Sequence, residues 1–273
     1  MKRACMVVVY VVLMAAIVSA AGRREAVGTS VQDNSLATVL NNKKLVVGLD
    51  DSFPPMGFRN EKNEIVGYDV DLAKEVGSRL GITVTFQSID WNAKEQELNT
   101  GEIDCIWNGF TITAERQKAM TFTKAYLKNA QVVVVQSGSP YKTLSDLLRK
   151  KAGVQAGSSA FEAIESSGTF KEGLAEIVEY KDNLTALMDL EVGGIDAVVM
   201  DLLVANDNIN RSGKGFRILD EALAPEEYGI GFRKGEQALA DKVWETLEAM
   251  AQDGTVGAIA TRWFGADISI IGK

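Results

Sequence analysis

Short runs of aliphatic and β-branched residues alternate along this chain with stretches whose apolar positions recur every three to four residues. A run of that kind suits a strand covered on both faces, whereas the three-to-four spacing lays a single apolar stripe along a helix. The pattern predicts strands at Leu45 to Leu49, Ile82 to Gln87, Ile103 to Trp107, Gln131 to Val135, Gly153 to Gln155, Ile177 to Tyr180 and Ile195 to Met200. It predicts helices over 70–80, 92–100, 114–120, 143–150, 159–166 and 183–190. Regular alternation of the two is the mark of α/β architecture with parallel sheets. The rhythm changes after Tyr228 to Phe232, where two helical patterns follow at about 236–252 and 255–264. The strand–helix alternation from Gly153 to Met200 reads as a second, smaller sheet, so two α/β lobes are expected.

The N-terminal pattern is of another kind. Lys2 and Arg3 precede an unbroken apolar run from Met6 to Val18, and Ser19-Ala20-Ala21 supplies small residues for cleavage. Thirteen apolar residues fall short of the roughly 20 that span a bilayer. Residues 1–21 are therefore read as a signal peptide cleaved near Ala20 or Ala21, rather than as an anchor. Cys5 stands before the apolar run, not after it, so a lipid anchor is not expected and the exported protein would diffuse freely in the periplasm. Residues 22–35 are polar and aperiodic and read as a disordered arm, with Ser35 placed to cap a short helix through Leu36, Val39 and Leu40.

Charge and composition narrow the function. Loss of the leader removes two basic residues and no acidic one, taking the net charge from −8 to −10. Such a surface disfavours nucleic acid and anionic membranes. Cys105 is then the only cysteine, in an apolar strand where it reads as core, and no internal disulfide is possible. The chain has no histidine, which removes Ser-His catalysis and most zinc sites. No phosphate-binding loop is present, and no cofactor or metal is expected. Arg149-Lys150-Lys151 reads as a helix C-terminus.

The strongest local motif is Gly67-Tyr68-Asp69-Val70-Asp71-Leu72, continued by Val76 and Leu80 as a helical stripe. Physically, Asp69 can cap that helix and Asp71 sits in its positive first turn. The segment resembles the signature of the family 3 extracellular solute-binding proteins, the polar amino-acid receptors of ABC importers. The resemblance runs from Leu45-Val46-Val47-Gly48 through Ile195-Asp196-Ala197 to the closing helices. It implies a two-lobed periplasmic-binding-protein-like fold of type II, with two α/β lobes joined by two hinge crossings near Asn129 to Val133 and Leu223 to Tyr228. Lobe 1 would comprise 36–131 and 227–273, and lobe 2 would comprise 132–226.

Within that frame Asn108-Gly109-Phe110-Thr111-Ile112-Thr113-Ala114-Glu115-Arg116 resembles the family's carboxylate-binding turn. The residues suit the task, because Thr113 can cap a helix whose first turn holds Arg116, bringing a guanidinium fork to a positive helix end. The resemblance adds the Thr111 hydroxyl to the carboxylate grip and turns the Asn108 and Gly109 carbonyl region toward an ammonium group. In Gln155-Ala156-Gly157-Ser158-Ser159-Ala160-Phe161-Glu162, Ser159 and Glu162 fit a capping box, while the glycine turn offers free backbone N–H groups. The family places its second carboxylate grip there, so Ser158 would serve the ligand while Ser159 caps. Asp201 follows a parallel strand and can cap the next helix; the resemblance gives it the ligand's α-ammonium. It also maps Phe53 and Trp91 to aromatic walls, and Asp50 and Gln155 to the distal pocket with Met200 beside them.

The expected function is a periplasmic receptor that closes on a free polar amino acid (arginine, lysine or glutamine) and presents it to the permease and ATPase subunits of an ABC importer, as a monomer. Two alternatives share the scaffold: a cyclohexadienyl-dehydratase-like enzyme, which would keep Arg116 and require a positioned acid, and a sensory ligand domain. A carboxylate matched to an ammonium favours binding over catalysis.

Overall fold

The computed structural model describes residues 32–273; the signal peptide and most of the arm expected from the sequence lie outside the described residues. In chain order the first half comprises α1 (Ser35–Asn42), β1 (Lys44–Leu49), β2 (Ser52–Phe53), β3 (Gly57–Arg59), β4 (Ile65–Val66), α2 (Tyr68–Leu80), β5 (Thr83–Ser88), α3 (Lys94–Thr100), β6 (Cys105–Thr111), α4 (Ala114–Ala119), β7 (Met120–Phe122) and β8 (Leu127–Gln136). The second half comprises β9 (Lys151–Gln155), α5 (Ser159–Glu165), α6 (Thr169–Gly173), β10 (Glu176–Tyr180), α7 (Asn183–Val192), β11 (Ala197–Asp201), α8 (Leu202–Ser212), β12 (Phe216–Ile218), β13 (Ala224–Arg233), α9 (Gln237–Gln252) and α10 (Thr255–Phe264).

The fold is α/β and two-lobed. β1, β5 and β6 pair in parallel in one lobe, and β9, β10 and β11 pair in parallel in the other. Two long antiparallel strands connect them: β8 and β13 pair over Leu127↔Tyr228 to Gln131↔Ala224. Beyond that ribbon β8 continues beside β11, and β13 beside β6. The strands of the two lobes thus join through β8 and β13 into one ten-stranded sheet, in the order β10-β9-β11-β8-β13-β6-β1-β5 with β12 and β7 at its sides, in place of the separate second sheet expected, and both of its faces are covered, as its apolar strands require. Along β8, Val132 and Val134 enter one core cluster and Val133 and Val135 another; β11 divides in the same way, with Val198 and Met200 on one side and Ala197 and Val199 on the other. Met200, placed by the resemblance beside the distal pocket, is a fully buried core residue and does not line the cavity.

Several local expectations are corrected. The helix expected over 143–150 is a single tight turn at Leu144–Leu147, closed by a Thr143/Asp146 capping box and ended by Arg149 at φ 62°. Arg149-Lys150-Lys151 therefore closes no α-helix, and Lys150 and Lys151 instead pair with Asp196 and Glu176. Ser35 does not cap α1. It is the first residue of that helix, and its hydroxyl accepts the Leu239 N–H in the first turn of α9, while Asp33 accepts the Ala238 N–H at 2.6 Å. The last residues of the predicted arm thus hold down a C-terminal helix. Asp69 does not cap α2 either; Gly67 occupies that position and Asp69 is buried. Asp71 accepts from Arg262 and the Trp263 indole of α10.

Candidate ligand-binding cavity

The strand expected to end at Trp107 runs on to Thr111, and the register against β13 slips between Phe110↔Gly229 and Ile106↔Gly231. The extra residues of this bulge are those around Asn108 and Gly109, and a bulge re-aims side chains in just this manner. Gly109 has φ 55°, and a Cβ there would meet Phe53 at 3.0 Å and Tyr228 at 3.1 Å. Its N–H donates to Asp69 Oδ2 at 2.6 Å, and the same oxygen accepts the Tyr126 hydroxyl at 3.0 Å. Burial pushes the Asp69 carboxyl up to about 7, against the pull of these donors. The signature aspartate is thus a buried strut under the bulge. Asn108 accepts the Asp50 N–H through Oδ1 at 3.0 Å.

Just past the bulge, Thr113 caps α4 by accepting the Arg116 N–H at 3.2 Å, as its place in the sequence predicts. Arg116 is 4 % exposed. Its guanidinium donates to the Thr111 carbonyl at 3.0 Å, lies 4.6 Å from the centroid of the Phe110 ring, and reaches Gly157 O at 3.5 Å and Glu162 at 3.7 Å. Burial lowers its pKa, with Glu162 the leading opposing charge. These contacts to Gly157 and Glu162 span the cleft. Lys94 spans it too, donating to Gly157 O at 2.9 Å and to Trp91 O at 3.1 Å; burial, then Arg116, lowers its pKa to about 8.

On the opposite wall the cap falls to Ser158 and not, as expected, to Ser159. Ser158 is the N-cap of α5, accepting the Phe161 N–H, while Ser159 is the first helical residue and turns its hydroxyl to Thr111 Oγ1 at 3.0 Å. The helix starts one residue earlier than the capping-box pattern suggests. Gly157 has φ 67°, and a Cβ there would stand 2.9 Å from Asn92. Gln155 donates to Asp50 Oδ2 at 2.8 Å and accepts from Asn183 at 3.2 Å. Asp50 also accepts the Ser52 hydroxyl and N–H, and burial raises its pKa.

Asp201 stands at the cap position of α8 without capping it. Its Oδ1 accepts instead from Asn129 Nδ2 and the Tyr228 hydroxyl, each at 2.6 Å. Burial raises its pKa, and neighbouring Glu226 raises it further. Glu226 Oε2 accepts from Thr111 Oγ1 at 3.0 Å, Gln131 Nε2 at 2.8 Å and Asn129 Nδ2 at 3.3 Å. These partners come from the ribbon of β8 and β13, where alternate residues face one side: Asn129 and Gln131 on one strand, Glu226 and Tyr228 on the other. None was singled out from the sequence. The signal was the period-2 placement of polar residues in the crossings, which reads equally well as solvent exposure.

Asp50, Phe53, Trp91, Asn108, Gly109, Thr111, Arg116, Gln155, Ser158, Ser159 and Asp201 together line one cavity, whose empty volume of about 270 Å³ includes space open to solvent. The structure thus brings all the nominated residues to one place. Phe53 and Trp91 are nearly buried there, and Trp91 meets Phe110 edge to face at 5.6 Å. The lining holds one cation, Arg116, and two carboxylates, Asp50 and Asp201. No cluster of metal-ligating side chains occurs among the described residues.

A small polar cavity between two α/β lobes joined by two strands defines a two-lobed ligand-binding protein. The chain belongs to the bacterial extracellular solute-binding proteins, family 3, whose family model matches residues 45–266. It is 31 % identical over 248 residues to the L-cystine-binding protein TcyJ of Escherichia coli (strain K12), covering 89 % of this chain and 92 % of that one. The structure of Tv2483 bound to L-arginine superposes with a TM-score of 0.85 at 36 % identity, covering 89 % of this chain and 99 % of that one. An ancestral amino-acid-binding protein, AncCDT-1, a precursor of cyclohexadienyl dehydratase, matches with a TM-score of 0.78 at 29 % identity, over 84 % of this chain and 99 % of that one.

Proposed function

We propose that the protein is an exported receptor that closes on a free basic amino acid, arginine foremost, and presents it to the permease of an ABC importer. The observation that carries this reading is the charge of the cavity lining: one arginine against two aspartates, a net −1. Behind it Lys94 adds one positive charge, and Glu226 and Glu162 one negative charge each. A zwitterion leaves the lining's charge unbalanced, and a ligand of net +1 neutralises it. In this reading Arg116 holds the α-carboxylate, Asp201 holds the α-ammonium through its remaining oxygen, Phe53 and Trp91 flank the aliphatic stem, and Asp50 with Gln155 receives the distal donor. Cystine would bring a second zwitterionic head, of no net charge, toward Asp50, whereas arginine and lysine bring a net positive charge. Lobe 1 is taken as 36–131 with 227–273, and lobe 2 as 132–226.

The contacts across the cleft, Lys94 and Arg116 to Gly157 and Gln155 to Asp50, support closure as the binding event. A ligand that satisfies both walls at once favours the closed state by its differential affinity. Mass spectrometry of small molecules released from natively purified protein, followed by calorimetry with the twenty amino acids, tests the reading. Arginine is expected to bind with a Kd of about 1 μM or tighter, equivalent to about −8 kcal/mol, and ahead of glutamine and cystine. No binding by any amino acid overturns the reading. Prephenate or arogenate incubated with the protein is expected to remain unchanged, and product formation would favour the enzyme.

A further inference from the structure

The hydroxyl groups beneath the cavity have a direction. Glu226 Oε2 accepts from Thr111 Oγ1 at 3.0 Å, and Thr111 Oγ1 in turn stands 3.0 Å from Ser159 Oγ. A carboxylate has no proton to give, and a threonine hydroxyl has one. The Thr111 proton therefore lies on the bond to Glu226, and Ser159 must donate in the bond to Thr111. Gln131 Nε2, which can only donate, fills a lone pair of Ser159 at 3.3 Å and bonds Glu226 at 2.8 Å. Both hydroxyls have then spent their protons, and what each retains is a lone pair.

We propose that Glu226, which does not itself line the cavity, is a specificity-determining residue that selects for the ligand's α-ammonium group. By taking the Thr111 proton it leaves Thr111 and Ser159 as acceptors, beside Asp201, in a wall where a cationic donor binds and a second carboxylate is repelled. Asn129 ties the two acids together, since its Nδ2 lies within hydrogen-bond distance of both Asp201 and Glu226. This assigns Thr111 to the ammonium side, where the family resemblance had placed its hydroxyl on the carboxylate. Glu226 is a positioning residue, acting through the proton it withdraws. The inference rests on the proposed amino-acid ligand.

The test is calorimetry with L-arginine and with 5-guanidinopentanoate, which is arginine without its α-amino group. Glu226→Gln is expected to weaken arginine by at least about 10-fold and to leave the des-amino ligand within about 3-fold, because its effect is confined to the ammonium bond. Thr111→Val is expected to give the same selective loss. The double variant should lose little more than either single variant, since both act on one chain of bonds. Equal losses on the two ligands, or none, overturn the proposal while leaving the amino-acid reading intact. Binding of no amino acid by the unaltered protein overturns both. If another amino acid binds in place of arginine, the same comparison is made with that amino acid and its des-amino analogue.

Discussion

The wall carrying Arg116 and the wall carrying Asp201 both begin at a strand that runs into a helix, and they reach opposite charge by treating the helix start differently. At α4 the cap is Thr113, so the local rule is satisfied and Arg116, three residues on, is held at its backbone and left to project its side chain. At α8 the cap position is Asp201 itself, and its carboxylate leaves the helix to bond Asn129 and Tyr228 from the crossing strands. One functional group is placed by local structure and the other by tertiary contacts. The position where a local preference is left unsatisfied is the one expected to carry function.

Removing the charge from the first wall should have the largest effect. Arg116→Met is expected to weaken amino-acid binding by roughly 2–5 kcal/mol, at least about 25-fold in Kd by calorimetry, while the ligand-free protein keeps its melting temperature. Among the described residues the buried cation's one ion pair is the 3.7 Å contact to the exposed Glu162, so methionine trades its bonds to the Thr111 and Gly157 carbonyls for relief of the guanidinium's desolvation, at little net cost to the unliganded fold. A melting temperature that falls as far as the affinity would make Arg116 a structural residue and erase the contrast.

Next in size is the strut beneath that wall. Asp69 has its folded-state pKa raised to about 7 from 3.8 by burial, so its protonated form is the one favoured by folding. Its contribution to stability is therefore full below about pH 4 and lost as pH rises through 7. Relative to Asp69→Asn, the wild-type protein should lose on the order of 2–4 kcal/mol between pH 4 and pH 8, read from denaturant melts. Identical pH dependence in the two would refute the assignment.

The second wall responds through binding. Asp201 must be ionised to hold an ammonium, and burial raises its pKa. Affinity should be flat above that pKa and fall by about tenfold per pH unit beneath it, and Asp201→Asn should flatten the profile at a lower affinity. The smallest effects separate the neighbouring serines. Ser158→Ala should cost about 1 kcal/mol of stability through the lost cap, whereas Ser159→Ala should leave the melting temperature in place and weaken binding. The reverse result would restore the roles suggested by the capping-box pattern.

The same contrast explains how much of the molecule was legible in its sequence. The central strands of both lobes and the helices α2, α5, α7, α9 and α10 follow from apolar spacing alone, because each buries one continuous stripe or run. Two-residue strands such as β2 and β4 bury too little to leave a pattern, and the turn at Leu144–Leu147 carries helical spacing without the length to use it. At the cavity, Thr113 and the helix start made Arg116 suited to a carboxylate, but the family resemblance was needed to choose it over an exposed arginine paired with Glu115 or Glu102. Asp201 needed the family resemblance, and Glu226, Asn129 and Gln131 escaped because their partners lie 28 to 115 residues away in sequence. The bulge that turns Asn108 and Gly109 inward escaped for the same reason, being defined only by pairing with β13.

A crystal structure of the protein with L-arginine tests the central claim most directly. The expected result is the α-carboxylate on the Arg116 fork, the α-ammonium on Asp201 with Thr111 accepting from it, and the aliphatic stem between Phe53 and Trp91 with the guanidinium directed at Asp50. A ligand bound in the reverse sense, with its guanidinium at Asp201, or one lying outside this cavity, would contradict it.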